Sequence, residues 1–414
     1  MWPRRGMRIF VGLAIFAQAV LAQSALVEPN WVGSWAAAQQ IPEVRNALPP
    51  GDLRDATVRQ VVHLSLGGEA LRVRISNAFG TEPLEFTSVH IARAVSSASP
   101  RIDASTDRAL SFSGRPDVTI PAGAEYTSDP ITFRAAAQSD LAVTFHLDES
   151  PAVETSHPGS RATSYLVHGD HVADAVLAGA TAFEHWFNLS GVEVSAPPGA
   201  AAIVILGDSI TDGRGSTTNG NDRWPDDLER RLPAAMPSRS LAVLNLGIGG
   251  NCLLVDGLGT NALARFDRDV LAEAGVRYLI VLEGINDIGR FGLQGGLADA
   301  EHERLVRGMI GTYQQMVMGA HAHGIRVFGG TLTPFRGSSY YENGTGSEAD
   351  RVAVNQWIRA PGHFDAVIDF DLALRDPQRP EALLPAYDSG DHIHPSPAGY
   401  RAMADAVRLE DFTP

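Results

Sequence analysis

Four short stretches in the second half of the chain contain the polar residues that nucleophilic catalysis by a serine requires. They read Gly207-Asp-Ser-Ile210, Asn245-Leu-Gly-Ile-Gly-Gly-Asn251, Glu283-Gly-Ile-Asn-Asp287 and Asp391-His-Ile-His-Pro395. A serine hydroxyl is a weak nucleophile until a nearby base removes its proton, and histidine has a suitable pKa for that task. Ser209 is therefore the candidate nucleophile, and the histidines of the last stretch are the candidate bases.

The apolar run before Ser209 predicts the element that positions it. Residues 201–206 carry no charge, which is typical of a strand buried on both faces of a parallel sheet. Ligands of open α/β sheets bind just beyond the carboxyl ends of such strands, where a serine on a tight turn holds its Oγ clear of the backbone. Gly, Asp and Ser are also common turn residues, so this stretch alone is equally consistent with an ordinary polar turn.

The second half of the chain alternates apolar runs with helical patterns. The apolar runs predict strands at 201–206, 241–246, 277–282, 325–331 and 365–370. The helical periodicity predicts helices near 224–235, 262–274, 301–323 and 397–409. This alternation is the pattern of a doubly wound, parallel α/β sheet. Each of the four polar stretches then follows a strand or lies in a late loop that reaches the same edge.

The first half of the chain shows short alternating segments separated by turns. Residues 58–66 and 70–76, joined through Gly67 and Gly68, predict a β-hairpin. The remaining predicted strands lie at 89–94, 118–120, 131–133 and 141–147. Their spacing favours an all-β, jelly-roll-like sandwich at residues 23–195. The segment 191–200 contains prolines and a glycine near its end, which suits a boundary to a second domain at 200–414.

Taken in order, the four polar stretches resemble the motif blocks of the SGNH or GDSL hydrolases, which centre on Ser, Gly, Asn and His. The resemblance covers roughly residues 200–414. The first block reads Gly-Asp-Ser-Ile here instead of Gly-Asp-Ser-Leu, which leaves the serine intact. The resemblance implies a flavodoxin-like α/β/α fold and hydrolysis of carboxylic esters through an acyl-enzyme, with no cofactor and no metal.

The resemblance also selects the base. Its spacing Asp-x-x-His before Pro395 favours His394 over His392 as the group that deprotonates Ser209. Asp391 can then orient the ring of His394 and stabilise the imidazolium that forms. On this interpretation His392 is a loop residue whose ring lies beside the site.

Three donors to a developing oxyanion follow from the same motifs. They are the backbone N–H groups of Ser209 and Gly250 and the side-chain amide of Asn286. Gly249 is an alternative to Gly250, because the two adjacent glycines leave the register open by one position. Without the family context, Asn286 could instead cap a helix.

The composition argues against several other kinds of site. The chain contains no lysine, which excludes a Walker-type phosphate loop, a pyridoxal Schiff base and a Ser-Lys dyad. Its single cysteine, Cys252, cannot form an intramolecular disulfide and is expected to be buried as a small apolar residue. Asp369 and Asp371 share a face of a predicted strand, but no third ligand accompanies them. Solvated carboxylates at the strand end are therefore a better interpretation than a metal site.

Residues 1–22 have the pattern of a secretory signal peptide, with Arg4, Arg5 and Arg8 before an apolar run at 9–19. Removal of this segment would lower the formal net charge from −15 to −18, which argues against nucleic acid or an anionic membrane as a partner. We therefore expect a secreted, extracellular protein without a membrane anchor. Asn188 and Asn343 each begin an N-glycosylation triplet.

These observations together predict a secreted carboxylic-ester hydrolase that acts on acetyl or other short-acyl esters, with esters of carbohydrates as one candidate class. A lipase or lysophospholipase is the alternative within the enzymes. A carbohydrate-binding protein is the alternative from a different class, because aromatic residues of the first half could stack on sugars or could equally fill the sandwich core. These aromatic residues are Trp31, Trp35, Tyr126, Tyr165 and Trp186.

Overall fold

The structure is a computed structural model that describes residue 1 and residues 29–293, 298–341 and 346–412. Beyond its first residue, the predicted signal peptide lies outside the described residues, as does the Asn343 triplet. No helix in the described ranges is both long and apolar enough to cross a bilayer.

The first half of the described chain is built from short strands. They are β1 (Asn30–Ala36), β2 (Ala56–Leu64), β3 (Gly68–Ser76), β4 (Leu84–Phe86), β5 (Ser88–Arg93), β6 (Arg108–Ala109), β7 (Val118–Ile120), β8 (Glu125–Thr127), β9 (Ile131–Ala135), β10 (Ser139–Leu147), β11 (Ser156–His157), β12 (Ser164–His168), β13 (Thr181–Phe183), β14 (Trp186–Phe187) and β15 (Leu189–Ala196).

Two antiparallel sheets of the first half pack against each other as a β-sandwich. One sheet has the order β1-β15-β3-β8, with β9 also paired to β3, and the other has the order β13-β12-β2-β10-β5-β6. Alternate residues from both sheets, such as Val73 and Ile75 of β3 and Val143 and Phe145 of β10, are fully buried in one core. The prediction of an all-β sandwich is confirmed.

The predicted hairpin at Gly67 and Gly68 is wrong. β2 pairs with β10 and β12, whereas β3 pairs with β15, β8 and β9. The chain therefore crosses from one sheet to the other between β2 and β3. At the crossing, a Cβ on residue 67 would lie only 2.6 Å from the carbonyl oxygen of Ala135, so glycine is required there. The alternating pattern identifies each strand as half-buried but does not identify its partner.

The second half contains the remaining strands and the α-helices. Its strands are β16 (Ala201–Gly207), β17 (Leu241–Gly247), β18 (Val276–Leu282), β19 (Arg326–Gly330), β20 (Ala366–Ile368), β21 (Arg375–Asp376) and β22 (Arg379–Leu383). Its helices are α1 (Ser209–Asp212), α2 (Trp224–Ala235), α3 (Ile285–Gly292), α4 (Asp299–Ala322), α5 (Ser347–Arg359), α6 (Phe370–Leu374) and α7 (Pro397–Ala406).

The strands β16 to β20 form a parallel sheet that fixes where a site can lie. The strand order is β17-β16-β18-β19-β20, which is the 2-1-3-4-5 order of flavodoxin-like folds. The order reverses where β16 lies between β17 and β18. Ligands bind beyond the carboxyl ends of the strands at such a switch point. The predicted α/β/α fold is thus confirmed, and Ser209 follows the strand at the switch point.

One predicted helix does not form as an α-helix. Within 262–274 the structure has only a π-helical turn at Asp267–Leu271. The apolar spacing is real, because Ala262, Phe266 and Val270 are all buried. Arg265, which lies between them, is also buried and turns its side chain toward the ends of neighbouring strands, as described below.

The two halves share the strand β1. Val32 belongs to the core of the second half, whereas Trp35 belongs to the sandwich core. The backbone N–H of Gly33 donates to the carbonyl of Ala274 at 2.9 Å. A Cβ on residue 33 would lie 2.8 Å from a methyl carbon of Leu244, so glycine allows this close approach. The sandwich is therefore packed directly against the parallel sheet.

The five candidate stacking residues of the first half do not together form an exposed platform, although Tyr126 is exposed. Trp35, Tyr165 and Trp186 are buried. Trp31 is half-buried beneath the guanidinium of Arg72, which lies 4.6 Å from its ring centroid. Of the five predicted stacking residues, three therefore fill the interior, and a sugar-binding surface built from this set is not supported.

Asn188, the glycosylation candidate within the described residues, is buried. Its Nδ2 donates to the carbonyl of Ser76 at 2.8 Å. A glycan on this nitrogen would displace that hydrogen bond and would have no room in the interior. The Asn188 triplet therefore does not fit a glycan acceptor in the folded protein.

Candidate active site

The turn after β16 places Ser209 at the first position of α1. Asp208 caps this helix by accepting a hydrogen bond from the N–H of Ile210 at 2.9 Å. Gly207 permits the tight turn, because a Cβ there would lie 2.3 Å from Oγ1 of Thr211. The serine is thus held just beyond the carboxyl end of β16, as the strand pattern predicted.

A chain of short hydrogen bonds links Ser209 to the last polar stretch. Oγ of Ser209 lies 2.8 Å from Nε2 of His394, and Nδ1 of His394 lies 2.7 Å from Oδ2 of Asp391. An ionised carboxylate can only accept, so Nδ1 carries the ring proton and Nε2 is left to accept from the serine hydroxyl. The three residues therefore have the geometry of a nucleophile, a base and an orienting carboxylate.

Asp391 remains ionised in this arrangement. Burial alone raises its pKa, but the hydrogen bond and charge of His394 and the backbone N–H groups of Ile393 and His394 outweigh burial. Together they hold the pKa of Asp391 well below its usual range. The carboxylate is therefore available to stabilise an imidazolium at neutral pH.

His392 lies outside this chain of hydrogen bonds. Its ring Nδ1 is 2.5 Å from Oδ2 of Asp388, and its side chain is exposed. Its backbone is in the left-handed region, with φ of +64°. The structure therefore brings His394 to Ser209 and directs His392 to a separate partner.

The predicted oxyanion donors line the same cavity as Ser209. Gly249, Gly250 and Asn286 all contribute to its surface. Gly250 has φ of +66°, and a Cβ there would lie 2.9 Å from Leu258, so both backbone and space require glycine. Within the described residues, neither glycine N–H donates to another backbone group. Either one can therefore face an oxyanion.

The amide of Asn286 is fixed in orientation by two hydrogen bonds. Its Nδ2 donates to the carbonyl of Asn251 at 2.8 Å, and its Oδ1 accepts from the hydroxyl of Tyr341 at 2.7 Å. Nδ2 carries a second proton, which can be offered to a ligand. Tyr341 is a positioning residue that the sequence patterns did not single out.

We expect Tyr341→Phe to lower kcat about 10-fold with little change in KM. The variant frees the Asn286 amide to rotate, which is milder than removing an oxyanion donor outright, a loss that costs about 10²–10³-fold. Steady-state hydrolysis of a p-nitrophenyl ester measures both parameters, and the exposed Tyr126→Phe is the matched control. A variant with unchanged kcat would show that Tyr341 does not position Asn286.

A buried guanidinium ties the motif loops to the strand ends. Arg265 is 1% exposed and donates to the carbonyl of Leu246 at 2.8 Å and to that of Gly207 at 3.1 Å. It also bonds to Oδ1 of Asn251 and to the carboxylate of Asp269, each at 2.9 Å. The first and second motif loops are therefore held together by one side chain. An isolated arginine in a helical pattern gave no signal of this role.

Arg265→Met should destabilise the protein by about 3–5 kcal/mol, because it leaves a buried carboxylate and buried carbonyls without their donor. Arg408→Met, which removes an exposed ion pair with Asp411, should cost at most about 1 kcal/mol. Urea unfolding midpoints of both variants measure the difference. Equal midpoints would contradict the structural role of Arg265.

Three buried carboxyl groups lie near the oxyanion donors. Burial raises the pKa of Asp208 to about 7 and that of Asp287 to about 6, and burial beside Asp208 raises the pKa of Glu283 well above its usual value. At neutral pH, Glu283 is therefore protonated and Asp208 is partly protonated, whereas Asp287 stays mostly ionised, so the first two add less negative charge near an oxyanion. Asp287 also accepts from the N–H groups of Leu253 and Leu254, so it anchors the second motif loop.

The catalytic groups open into a cavity of about 710 Å³. One side is built from the motif loops. Another part of the lining comes from the first half of the chain, within residues 40–46, 158–161 and 184–185. We call these three segments the sandwich wall. Strand patterns gave no indication that the first half would contribute to the site.

The sandwich also holds the helix that carries Ser209. Nε2 of His157 lies 2.9 Å from Oδ1 of Asp212 in α1, and Nδ1 of His157 lies 2.7 Å from the carbonyl of Ala38. His157 and Asp212 are both buried. A Cβ on Gly159 would lie 1.8 Å from Asp212, so the sandwich wall requires glycine at this contact.

Asp369 and Asp371 are not the solvated carboxylates that the sequence suggested. Arg359 pairs with both of them at 2.6 Å, and Asp371 is buried against Arg351 at 2.7 Å. Their charges are therefore balanced by arginines. Among the described residues, no group of three or more metal-ligating side chains comes together.

Cys252 is buried, as predicted. Burial, reinforced by the nearby carboxylates of Asp287 and Glu283, raises the pKa of its thiol to about 12. The thiol is therefore protonated near neutral pH and is not a second nucleophile at this site.

Several solved structures are similar to this chain. A GDSL-like lipase from Bacteroides thetaiotaomicron is 18% identical, with a TM-score of 0.36, and covers 51% of this chain and 87% of its own. An acetyl xylan esterase from Geobacillus stearothermophilus is 22% identical, with a TM-score of 0.37, and covers 50% and 94%. An aryl esterase from M. smegmatis is 16% identical, with a TM-score of 0.38, and covers 50% and 96%. A comparison with curated proteins gave no match.

The sequence profile of the GDSL-like lipase/acylhydrolase family matches residues 205–402. This segment contains all four polar stretches. It begins within β16, ends within α7 and includes the strands β17 to β20 of the parallel sheet. By this match, residues 205–402 belong to the GDSL-like lipase/acylhydrolase family.

Proposed function

We propose that this protein is a serine carboxylic-ester hydrolase that works through an acyl-enzyme. The observation that carries the proposal is the continuous hydrogen-bonded chain from Ser209 through His394 to Asp391. The membership of residues 205–402 in an acylhydrolase family supports the same reaction.

In the first half-reaction, Oγ of Ser209 attacks the acyl carbonyl while Nε2 of His394 accepts the hydroxyl proton. The tetrahedral oxyanion accepts hydrogen bonds from the N–H of Ser209, from Gly250 or Gly249, and from the amide of Asn286. The intermediate collapses when the bond to the alcohol oxygen breaks and His394 returns its proton to that oxygen.

In the second half-reaction, water attacks the acyl-Ser209 ester while His394 accepts a proton from it. The second tetrahedral intermediate releases the carboxylic acid, and the proton on His394 returns to Oγ of Ser209. Asp391 stabilises the imidazolium in both steps and keeps its own negative charge.

We further propose that the acyl group is short. Leu258 and Ile393 supply the aliphatic side chains of the cavity, and the rest of the lining is polar, aromatic, glycine or proline. A long acyl chain needs a continuous apolar surface, which favours its burial by about 0.8 kcal/mol per CH₂. The polar lining suits an alcohol half rich in hydroxyl groups, such as a carbohydrate.

Rates on p-nitrophenyl acetate and p-nitrophenyl octanoate test this proposal. We expect turnover of both esters and a higher kcat/KM for the acetate. A clear preference for octanoate would favour the lipase or lysophospholipase alternative instead. No turnover of either ester would contradict ester hydrolysis.

We also propose that the protein is exported, because residues 1–22 carry the charge and apolar pattern of a signal peptide. Expression of the full chain in a secreting host, followed by N-terminal sequencing, tests this proposal. A mature protein that begins at Gln23 is expected, and retention of Met1 would contradict it.

A further inference from the structure

The sandwich wall carries an arginine whose side chain has no acceptor among the described residues. Arg161 is half-buried and lines the cavity that contains Ser209. Its Nε is enclosed without an acceptor, and its guanidinium forms no ion pair or hydrogen bond with any residue that the structure describes. Its backbone is in the left-handed region at φ of +49°, which is a strained conformation for arginine. An enclosed, unsatisfied donor at a cavity surface is a position at which a water molecule or a ligand can supply the acceptor.

Other buried arginines of the chain are satisfied. Arg265 bonds to two carbonyls and two side chains, as described above. Arg59 bonds to Oγ1 of Thr144 and to the carbonyls of Pro100 and Asp174. Arg161 therefore differs from them in having no acceptor for its guanidinium among the residues that the structure describes.

A second unpartnered atom of the sandwich wall is an acceptor. Nε2 of His185 lies 3.1 Å from the carbonyl of Asn46, so Nε2 carries the proton and Nδ1 is a lone-pair acceptor. That Nδ1 is enclosed and has no donor among the described residues. Burial, with smaller contributions from His157 and Arg161, lowers the pKa of His185 to about 4. The ring is therefore neutral near neutral pH, and its Nδ1 can accept a hydrogen bond from a hydroxyl group.

The cavity is lined by four arginines that form no ion pair with any described residue. Besides Arg161, its lining includes Arg45, Arg214 and Arg290, and none of these forms an ion pair within the described parts of the chain. Three carboxylates also line the cavity and accept hydrogen bonds from Asn46 (Glu43), Thr218 (Glu184) and His157 (Asp212), while Oδ2 of Asp212 has no partner among the described residues. The four arginines therefore outnumber the carboxylates by one formal charge. In a chain of net charge −15, a lining with more arginines than carboxylates is suited to an anionic group.

We propose that the sandwich wall binds a sugar acid as the alcohol half of the ester, with Arg161 on the sugar carboxylate and Nδ1 of His185 on an adjacent hydroxyl. Guanidinium is well suited to a carboxylate because its N–H groups match the two carboxylate oxygens. A sugar ring offers the neighbouring hydroxyl that the bare acceptor of His185 requires. This inference rests on the proposed ester hydrolysis and names its substrate class.

The wild-type enzyme tests the inference with two matched polymers. One is acetylated polygalacturonate, and the other is the same acetylated polymer after methyl esterification of its carboxylates. We expect kcat/KM for acetate release to be at least about 10-fold higher on the acidic polymer, and the difference to shrink as NaCl is added. Equal rates, or a preference for the neutral polymer, would overturn the inference.

Hydrolysis of p-nitrophenyl acetate, measured in parallel, separates the two proposals. If this neutral ester is not hydrolysed, the proposed function itself fails. If it is hydrolysed but the acidic polymer is not preferred, only the sugar-acid inference fails.

Arg161→Gln should bring the ratio of the two polymer rates to within about 2-fold of unity, whatever its absolute rates. Arg134→Gln removes the same charge from an exposed arginine of the sandwich that does not line the cavity, and it should keep the wild-type ratio. A wild-type ratio in Arg161→Gln would overturn the role of Arg161.

Competition gives a readout that does not depend on the variant folding. With wild-type enzyme and p-nitrophenyl acetate, free galacturonate should inhibit at a concentration about 10-fold lower than galactose does. Equal inhibition by the two sugars would contradict a carboxylate subsite.

Discussion

Ser209→Ala is expected to lower kcat for p-nitrophenyl acetate by about 10⁵–10⁶-fold, since removal of a serine nucleophile costs about that much in serine hydrolases. The oxyanion donors remain in the variant, so a residual rate about 10³-fold above the uncatalysed reaction is expected. The free energy of unfolding should change by less than about 1 kcal/mol, because Ser209 is partly exposed and, within the described ranges, its side chain bonds only to His394.

Ser216→Ala is the matched control for this loss. Ser216 lies seven residues later in the same loop, and its hydroxyl donates to the carbonyl of Gly213 instead of reaching the cavity. We expect this variant to keep wild-type kcat within about 2-fold, because a change outside the reacting groups leaves the barrier unchanged. If Ser209→Ala kept comparable activity, Ser209 would not be the nucleophile.

Asp391→Asn is expected to lower kcat by about 10⁴-fold while leaving KM nearly unchanged. An amide can donate to Nδ1 of His394, which would place the ring proton on Nε2 and remove the acceptor that Ser209 needs. The loss should therefore persist at every pH at which the wild type is active, because it arises from the tautomer and not from a titration.

Asp388→Asn provides the control in the same loop. Asp388 pairs with His392 at 2.5 Å, so the loop contains two Asp–His pairs of which only one reaches Ser209. We expect Asp388→Asn to retain kcat within a factor of about 3, since its partner is exposed and does not line the cavity. Equal losses of kcat in Asp388→Asn and Asp391→Asn would contradict a catalytic role that belongs to Asp391 and not to Asp388.

The native-state pKa of Asp391 also affects stability. This pKa is depressed, so the ionised carboxylate stabilises the native state above its unfolded pKa of about 4. The contribution is lost as pH falls from that value through the folded pKa. The free energy of unfolding of the wild type, measured with urea, should therefore fall more steeply below pH 4 than that of Asp391→Asn. Parallel pH profiles for the two proteins would contradict a depressed pKa of Asp391 in the folded state.

The residues around Ser209 could be predicted because their chemistry is local. An uncharged strand followed by Gly207, Asp208 and Ser209 specifies both the position and the kind of turn. Likewise, Asp391 and His394 lie three residues apart, so one turn brings them together. The order of the four stretches supplied the long-range link that these local patterns lack.

What the sequence did not predict depends on contacts between distant segments. The connection at Gly67 crosses between two sheets, and strand alternation is the same whether a strand pairs with its neighbour or with β10. Arg265 is one of many arginines in the chain, and only the tertiary structure shows that its guanidinium joins two motif loops.

The sandwich wall was missed for the same reason. Its residues come from three short loops that are separated by more than 20 residues each, and none forms a motif. Arg161 becomes noticeable only when the structure shows an enclosed guanidinium nitrogen without an acceptor. The first half of the chain therefore contributes to the cavity through loops, which sequence patterns describe least well.

Covalent labelling of the wild-type enzyme tests the central claim most directly. A fluorophosphonate reacts with a serine whose hydroxyl is activated by a base, and peptide mapping by mass spectrometry locates the adduct. One phosphonyl group on Ser209, formed in step with loss of p-nitrophenyl acetate hydrolysis, is the predicted result. Complete inactivation with Ser209 unmodified, or an adduct on a different residue, would contradict it.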